Sequence, residues 1–199
     1  MHFSSGINRP PYEANDEFLQ ITSGCSHGSC KFCTFYKDSP FSLSPMEEIE
    51  ADIKELAHSG WSFDRIYLQG ADPFIRKTED LLKIADMIYH YLPQVKSIGG
   101  YARVDNLKNK TVGEVRQLKE AGYSYFYFGV ESGDDKLLDR MNKGEEILAQ
   151  VEVVCQRLHI SAATFQGIGA CGEVEVATYI PDRQEFLPHV RNGMLEMIS

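Results

Sequence analysis

The sequence predicts an α/β protein in which parallel strands alternate with amphipathic helices. Apolar runs rich in β-branched and aromatic residues recur along the chain, and segments with helical periodicity and capping residues lie between them. The chain has 199 residues, of which 43% are hydrophobic, so one domain can bury a substantial core. In such folds ligands bind at the carboxyl ends of the strands, and we expect the functional residues there.

Five segments have the composition of strands, at residues 17–23, 65–70, 97–104, 123–130 and 160–169. They are separated by helical segments, so successive strand-helix-strand units predict a parallel sheet with right-handed crossovers. The fourth segment contains the aromatic run YSYFYF. We interpret this run as sheet packing rather than as a platform for stacking nucleic-acid bases.

Four helices are predicted between the strands, over residues 45–59, 78–92, 111–121 and 147–158. Ser44 is predicted to cap the first helix, with Glu47 completing a capping box. Thr111 and Glu114 predict a second capping box, at the third helix. Cys155 lies on the apolar face of the fourth helix and is expected to belong to the core.

The C-terminal part of the chain departs from the alternating pattern. Residues 173–180 alternate like a strand but follow the fifth strand too closely for a parallel crossover, so a hairpin or an edge strand is expected. Pro188 and Gly193 argue against one continuous helix after them. We therefore predict three units, which are an N-terminal extension (1–16), a core (17–170) and a divergent C-terminal segment (171–199).

Charge and hydropathy exclude several classes of function. The net charge of −9 disfavours sequence-independent binding to phosphates, so bulk nucleic-acid binding is not expected. The sequence has no apolar signal region at its start and no run of eighteen apolar residues, so neither secretion nor a membrane span is predicted. We expect a cytoplasmic protein, and in that reducing compartment clustered cysteines more often bind metals or do redox chemistry than form disulfides.

Three of the five cysteines lie within nine positions, in the stretch TSGCSHGSCKFCTFY that follows the first predicted strand. Cys25, Cys30 and Cys33 form the pattern C-x4-C-x2-C, which predicts a metal site. Three thiolates suit a [4Fe-4S] cluster that keeps one iron open for another ligand. A closed zinc site would need His27 or Cys171 as its fourth ligand. Residue types and spacing alone leave both sites possible.

The stretch CSHGSCKFC, which includes Phe32 before its last cysteine, resembles the cluster loop of the radical S-adenosylmethionine (radical SAM) superfamily. It differs from the commonest pattern, because four residues rather than three separate the first two cysteines. Three later stretches resemble the cofactor-binding segments of that superfamily, namely LQGADP (68–73), FGVESGDDKLLDRMNKG (128–144) and ATFQGIG (163–169). The second of them is similar to the subgroup of methylthiotransferases, Elongator-type enzymes and oxygen-independent coproporphyrinogen oxidases.

This resemblance implies a partial parallel (β/α) barrel of about five to six strands. It implies a [4Fe-4S] cluster held by Cys25, Cys30 and Cys33, with S-adenosylmethionine on the open iron. The residues it assigns to the cofactor are Phe32 and Gly167 beside the adenine, Gly70, Ala71 and Asp72 at the methionine end, and Glu131 and Ser132 on the ribose side. Arg103, on the third strand, is a candidate for the cofactor carboxylate, and a solvated or structural arginine is the alternative.

The resemblance also implies an enzyme. Reductive cleavage of S-adenosylmethionine would give methionine and a 5'-deoxyadenosyl radical, which abstracts hydrogen from an unknown substrate. A donor such as flavodoxin or ferredoxin would supply the electron. Two alternatives remain, a cluster-binding fragment without activity and a zinc-binding structural or interaction module. Cys171, which follows a glycine turn, is a thiol without an assigned role.

Overall fold

The computed structural model describes residues 1–7, 15–103, 105–106, 109–129, 131 and 135–143, and the backbone of 163–168, 174–180 and 185–189. The strands are β1 (Glu17–Gln20), β2 (Thr22–Ser23), β3 (Ser42–Leu43), β4 (Arg65–Gln69), β5 (Ser97–Ala102), β6 (Tyr123–Phe128), β7 (Ala163–Ile168), β8 (Val174–Ile180) and β9 (Glu185–His189). The helices are α1 (Met46–His58), α2 (Thr78–Tyr91), α3 (Val112–Glu120) and α4 (Asp135–Arg140).

A parallel sheet with the strand order β1-β4-β5-β6 forms the centre of the fold. α1 connects β1 to β4, α2 connects β4 to β5, and α3 connects β5 to β6. This is the predicted series of strand-helix-strand units, and it confirms the α/β fold class. Gln20 at the end of β1 lies opposite Gln69 at the end of β4. The loops that follow these two strands therefore begin side by side.

The apolar faces of the helices form the main core with one face of the sheet. Ile49 and Ile53 of α1 and Leu81 and Ile84 of α2 are fully buried and belong to the same cluster as Leu68 of β4. Burying a side chain of this size contributes about 1.5–3 kcal/mol, so this face carries much of the stability of the domain. No helix in the described ranges is long and apolar enough to cross a membrane.

An aromatic cluster forms a second, separate group of buried residues. Phe18 of β1 and Tyr67 of β4 are its fully buried members, and their ring centres are 5.4 Å apart. Tyr101 and Tyr127 pack against Tyr67, with ring centres at 5.4 and 6.0 Å. In the main core, Tyr123 is buried and its hydroxyl donates to Leu81 O at 2.7 Å. Tyr123 and Tyr127 thus pack within the fold, as expected for the YSYFYF run.

The two predicted capping boxes have different outcomes. At α3 the box is present, because Thr111 Oγ1 accepts from Glu114 N and the Glu114 carboxylate accepts from Thr111 N. At α1 the prediction is wrong, because Pro45 occupies the cap position and no side chain caps the helix. The Ser44 hydroxyl instead contacts Gln20 and His2. Ser44 therefore joins the N-terminal segment to β1 rather than starting the helix.

The strands after residue 162 differ from the predicted continuation of the parallel sheet. Residues 163–168 form a strand as expected, but β7 pairs antiparallel with β8 in a second sheet of order β7-β8-β9. The prediction of a fifth parallel strand at this segment is therefore wrong. The predicted hairpin is confirmed, because Ile168 lies opposite Val174 and the pairing continues back along both strands. The predicted helix over 147–158 lies outside the described residues.

Candidate metal and cofactor site

A single closed loop carries the three clustered cysteines. This cysteine loop, residues 24–41, connects β2 to β3, and the antiparallel pairing of Thr22 with Leu43 closes its base. Cys25, Cys30 and Cys33 are free and partly buried on it. The spacing in sequence thus becomes three thiols on one surface loop at the carboxyl end of the sheet, where ligands bind in parallel α/β folds.

The first cysteine is fixed to the loop that follows β4. Gly24 O accepts a hydrogen bond from Ala71 N at 3.2 Å, directly before Cys25. Gly24 has a φ of +67°, and a Cβ at this position would lie 2.5 Å from Ser39 O. Only glycine meets both conditions, the left-handed backbone and the close approach of another main chain.

Contacts inside the protein leave no room for a side chain at Gly70. Its φ is +105°, and an added Cβ would overlap the Thr22 side chain and lie 2.8 Å from Thr22 O. A side chain at Gly70 would therefore clash with β2, and this clash is sufficient to require glycine. Ala71 is not among the described residues with a positive φ, which satisfies the condition for a side chain at that position.

Asp72 is buried between the cysteine loop and the loop after β5. Its Oδ2 accepts hydrogen bonds from Ser26 Oγ and, at 3.1 Å, from Asn106 Nδ2. Its Oδ1 is buried and has no hydrogen-bond partner in the described part of the chain. Burial raises the pKa of the Asp72 carboxyl, while the Ser26 bond and the Arg103 charge act in the opposite direction. Asp72 therefore offers one free acceptor beside Cys25.

Tyr36 offers a second unpartnered group near the cysteines. It is 9% exposed, and its hydroxyl lacks a hydrogen-bond partner among the described residues. Burial raises the pKa of this hydroxyl, and the charges of Tyr101, Cys25 and Cys33 raise it further. Tyr36 thus remains a neutral hydrogen-bond donor close to two of the three thiols.

Two cationic side chains from other parts of the fold, Lys143 and Arg103, act on the cysteine loop. Lys143 Nζ lies 3.2 Å from Glu131 Oε1 and 6.0 Å from the centre of the Phe32 ring. Arg103 follows β5, and its Nη2 lies 2.5 Å from Asp105 Oδ2. Burial raises the pKa of the Cys30 thiol, and the charges of Lys143 and Arg103 oppose this effect. Both cations therefore favour the thiolate form that a metal requires.

Glu131 follows β6 and has a φ of +68°, which is uncommon for a residue with a side chain. Its carboxylate is mostly buried, with 12% of the side chain exposed, and Lys143 is its charged partner. Ser132 lies outside the described residues. Gly167 lies in β7 opposite Glu175, and is thus in the antiparallel sheet rather than at the end of a parallel strand.

The histidine considered as the fourth ligand of a closed zinc site is bonded to another group. His27 Nε2 donates to Asn142 O at 2.6 Å, so this ring nitrogen is engaged with the main chain. Cys171 lies outside the described residues. Within the described ranges, no three His, Cys, Asp or Glu side chains are gathered closely enough to hold a metal ion. The three thiols share the loop, but they are not gathered around one centre.

A cavity of about 540 Å³ lies near the N-terminal ends of α2 and α3, and its lining residue Asn106 also bonds to Asp72. Two cations that line it are bound to main-chain carbonyls. Arg76 Nε donates to Ile21 O at 3.0 Å, and Lys110 Nζ donates to Arg76 O at 2.7 Å. The first bond holds the loop after β4 against the residue that follows β1, and the second holds it against the segment before α3. The cysteine loop, rather than this cavity, therefore carries the candidate site.

Sequence reasoning missed several residues of the site, namely Ser26, Tyr36, Asn106, Asn142 and Lys143. The last two lie inside the stretch FGVESGDDKLLDRMNKG, so the motif marked their region without marking their roles. The roles of Ser26 and Asn106 arise only when distant loops meet at Asp72. No local sequence pattern indicates such a contact.

Comparison with known proteins identifies the family. Residues 19–162 match the Radical SAM superfamily, and residues 130–199 match the Plants and Prokaryotes Conserved (PCC) domain. The heme chaperone HemW of Bacillus subtilis (strain 168) is 28% identical over 137 residues, which are 64% of this chain. The tRNA-2-methylthio-N(6)-dimethylallyladenosine synthase of Clostridium tetani (strain Massachusetts / E88) is 25% identical over 172 residues, which are 79% of this chain. The matched region is 36% of each relative, so the chain spans about a third of their length.

Solved structures of other proteins share the fold of this chain. The cobalamin-dependent S-adenosylmethionine radical enzyme OxsB superimposes with a TM-score of 0.59 at 19% identity, covering 73% of this chain and 22% of OxsB. Methylornithine synthase (PylB) superimposes with a TM-score of 0.53 at 17% identity, covering 72% of this chain and 41% of PylB. At these identities the likeness shows the fold, and it agrees with the match over residues 19–162. Since that match covers most of the sequence, the chain belongs to the radical SAM superfamily.

Proposed function

We propose that this chain binds a [4Fe-4S] cluster through Cys25, Cys30 and Cys33 and cleaves S-adenosylmethionine reductively. One observation carries the proposal. The loop with the three thiols is hydrogen-bonded to the loop after β4, where Asp72 Oδ1 is buried without a hydrogen-bond partner among the described residues. Three thiols and a carboxylate with a free acceptor are what a metal cluster and a bound ammonium group would need, and this supports the proposal for a member of the radical SAM superfamily.

The donor set fits the cluster in number and in chemistry. Three thiols bind three irons and leave the fourth iron open, and soft thiolates suit iron-sulfur clusters. Lys143 and Arg103 favour the thiolate at Cys30 and partly balance the negative charge of the thiolates. When bound, such a cluster would supply the one electron that reductive cleavage of the sulfonium carbon-sulfur bond requires. The protein residues orient the two cofactors and exclude water.

Asp72 fits the ammonium group of S-adenosylmethionine. Its Oδ1 has no partner among the described residues, and burial of a carboxylate away from water strengthens its bond to a cation. Ser26 and Asn106 fix the orientation of the carboxylate through Oδ2, so Oδ1 is held in place before the ligand arrives. Gly70 sets the turn that brings Ala71 and Asp72 to this position.

The remaining residues are proposed at the other parts of the cofactor. Phe32 would pack against the adenine, and Glu131 with Ser132 would face the ribose. Arg103 would meet the carboxylate of the methionine part, and its guanidinium is suited to that bidentate contact. Gly167 remains a sequence prediction, since β7 is not one of the parallel strands whose ends carry these residues.

The proposal names no substrate, because the two relatives have different activities and the chain spans about a third of their length. A cytoplasmic location and a flavodoxin or ferredoxin as electron donor fit the proposed chemistry. The donor would have to reach the cysteine loop, which lies at the surface with Phe35 exposed on it and Leu43 exposed on the adjoining β3.

The decisive experiment is anaerobic reconstitution followed by addition of dithionite and S-adenosylmethionine. The wild-type chain should contain iron and sulfide and should release 5'-deoxyadenosine without a substrate, as measured by chromatography and mass spectrometry. Stoichiometric zinc without iron or sulfide would contradict the proposal. A full cluster without binding or cleavage of S-adenosylmethionine would reduce the chain to a cluster-binding protein.

Replacing Cys25, Cys30 or Cys33 singly with Ala should abolish the visible iron-sulfur absorbance, because the loss of one thiolate leaves a second iron without a protein ligand. Iron content and absorbance measure this effect. Cys155→Ala and Cys171→Ala serve as controls and should keep the cluster. Loss of iron in Cys171→Ala would indicate a fourth protein ligand and would exclude the open iron.

Asp72→Asn should keep the cluster and weaken the binding of S-adenosylmethionine. With Ser26 and Asn106 still donating to the side-chain oxygen, the amide nitrogen takes the place of Oδ1 and opposes an ammonium group. The loss of a hydrogen bond to a charged group costs about 1.5–3 kcal/mol, which corresponds to a fall in affinity of roughly ten- to a hundredfold. Equilibrium dialysis without reductant measures it, with the exposed Asp139→Asn as the control. Unchanged affinity in Asp72→Asn would exclude this role.

Gly24→Ala should disturb the cysteine loop far more than Gly28→Ala. Both glycines lie in that loop with similar φ angles, +67° and +60°, so both variants carry the same left-handed strain of about 1–2 kcal/mol. A Cβ at Gly24 would lie 2.5 Å from Ser39 O, whereas a Cβ at Gly28 would lie 3.5 Å from Cys25 O. Iron content after reconstitution and urea unfolding should therefore show a defect mainly in Gly24→Ala. Equal defects in the two variants would mean that backbone strain alone matters.

A further inference from the structure

The end of α4 is bound to the cysteine loop across more than a hundred residues of sequence. We call residues 140–143 the α4 clamp. Lys31 N donates to Met141 O at 2.9 Å, and Lys31 Nζ donates to Arg140 O at 2.9 Å. Asn142 Nδ2 donates to Ser29 O at 2.9 Å. Together with the bond from His27 to Asn142 O, the α4 clamp makes four hydrogen bonds to the cysteine loop.

These bonds hold the residues on both sides of one cysteine in the chain. Ser29 and Lys31 are the chain neighbours of Cys30, and each is bonded to the α4 clamp. Cys25 is enclosed in the same way by a different element, because its neighbours Gly24 and Ser26 are bonded to Ala71 and Asp72. The positions of the first two cysteines therefore depend on two separate parts of the fold. The α4 clamp fixes the second of them.

The α4 clamp is itself anchored. Leu138 of α4 is fully buried in the main core, and Met141 packs against that core. Asn142 has a φ of +55°, a left-handed conformation that asparagine tolerates better than most residues. This conformation ends the helix and turns the Asn142 amide towards Ser29 O. A single residue thus combines the backbone turn with the bond to the cysteine loop.

We propose that Asn142 is a positioning residue that sets the main chain at Cys30 before the metal binds. This inference rests on the proposed function, because it assigns the chemistry of that site to a residue outside the cysteine loop. The three thiols are not gathered around one centre. A main chain that is already fixed on both sides of Cys25 and of Cys30 leaves side-chain rotation as the motion needed for binding.

The test uses variants that separate the two properties of Asn142. Asn142→Gly permits a φ of +55° but removes the amide. Asn142→Asp keeps the tolerance for this backbone and replaces the donor by a carboxylate that faces Ser29 O. Asp139→Asn, at an exposed position of the same helix, is the matched control.

The first measurement needs no metal. The metal-free proteins are treated with iodoacetamide, and mass spectrometry gives the alkylation rate at each cysteine. Loss of one hydrogen bond should open the segment around Cys30 and raise its rate roughly two- to tenfold, with no change at Cys25. Asp139→Asn should match the wild type at both positions. Wild-type rates at Cys30 in both Asn142 variants would overturn the proposal, and so would equal increases at Cys25 and Cys30, which indicate general loosening.

The second measurement uses the reconstituted protein. Iron release to a chelator should be faster by a similar factor in both Asn142 variants, with thermal unfolding temperatures close to that of Asp139→Asn. Iron release at the wild-type rate would overturn the role in cluster binding. If the wild-type chain bound no cluster at all, the proposed function would fail, whereas the alkylation rates would still decide whether Asn142 positions Cys30.

Discussion

The hydrogen bond from Ala71 N to Gly24 O is the contact on which the site depends, because it joins the two loops that emerge from β1 and β4. It exists because the parallel register places Gln20 opposite Gln69, so both strands end at the same level. The two glycines beside it leave no room for a Cβ, and the main chains can therefore approach closely. Cys25 on one loop and Asp72 on the other are neighbours for this reason.

The local features of the fold were accessible from the sequence. Periodicity and turn residues located the strands and helices of the parallel sheet, and the capping box at Thr111 was recognised from a pattern four residues long. Ser44 looked equally suitable as a cap, but Gln20 and His2 bind its hydroxyl and Pro45 already favours the start of a helix. A local pattern cannot include competitors that arrive from other parts of the chain.

The sequence predicts which segments form strands better than it predicts which strands pair with each other. Residues 163–168 have a strand composition, but whether such a strand joins a parallel or an antiparallel sheet depends on its neighbour, here β8. Because β7 shares its sheet with β8 and β9, we propose that the C-terminal unit begins before residue 163 rather than at 171. The overlap of the two family matches over residues 130–162 fits a transition in this part of the chain.

The chain segment between Cys25 and Cys30 has a consequence for finding related proteins. Its two ends are fixed by the bonds between Gly24 and Ala71 and between Ser29 and Asn142, and Gly28 within it is exposed. An extra residue beside Gly28 can project into solvent while Gly24, Ser26 and Ser29 keep their bonds. The number of residues between these cysteines can therefore drift during evolution while the thiols stay in place. Genome searches that require one fixed spacing would overlook such chains, whereas searches built on the residues at the strand ends would retain them.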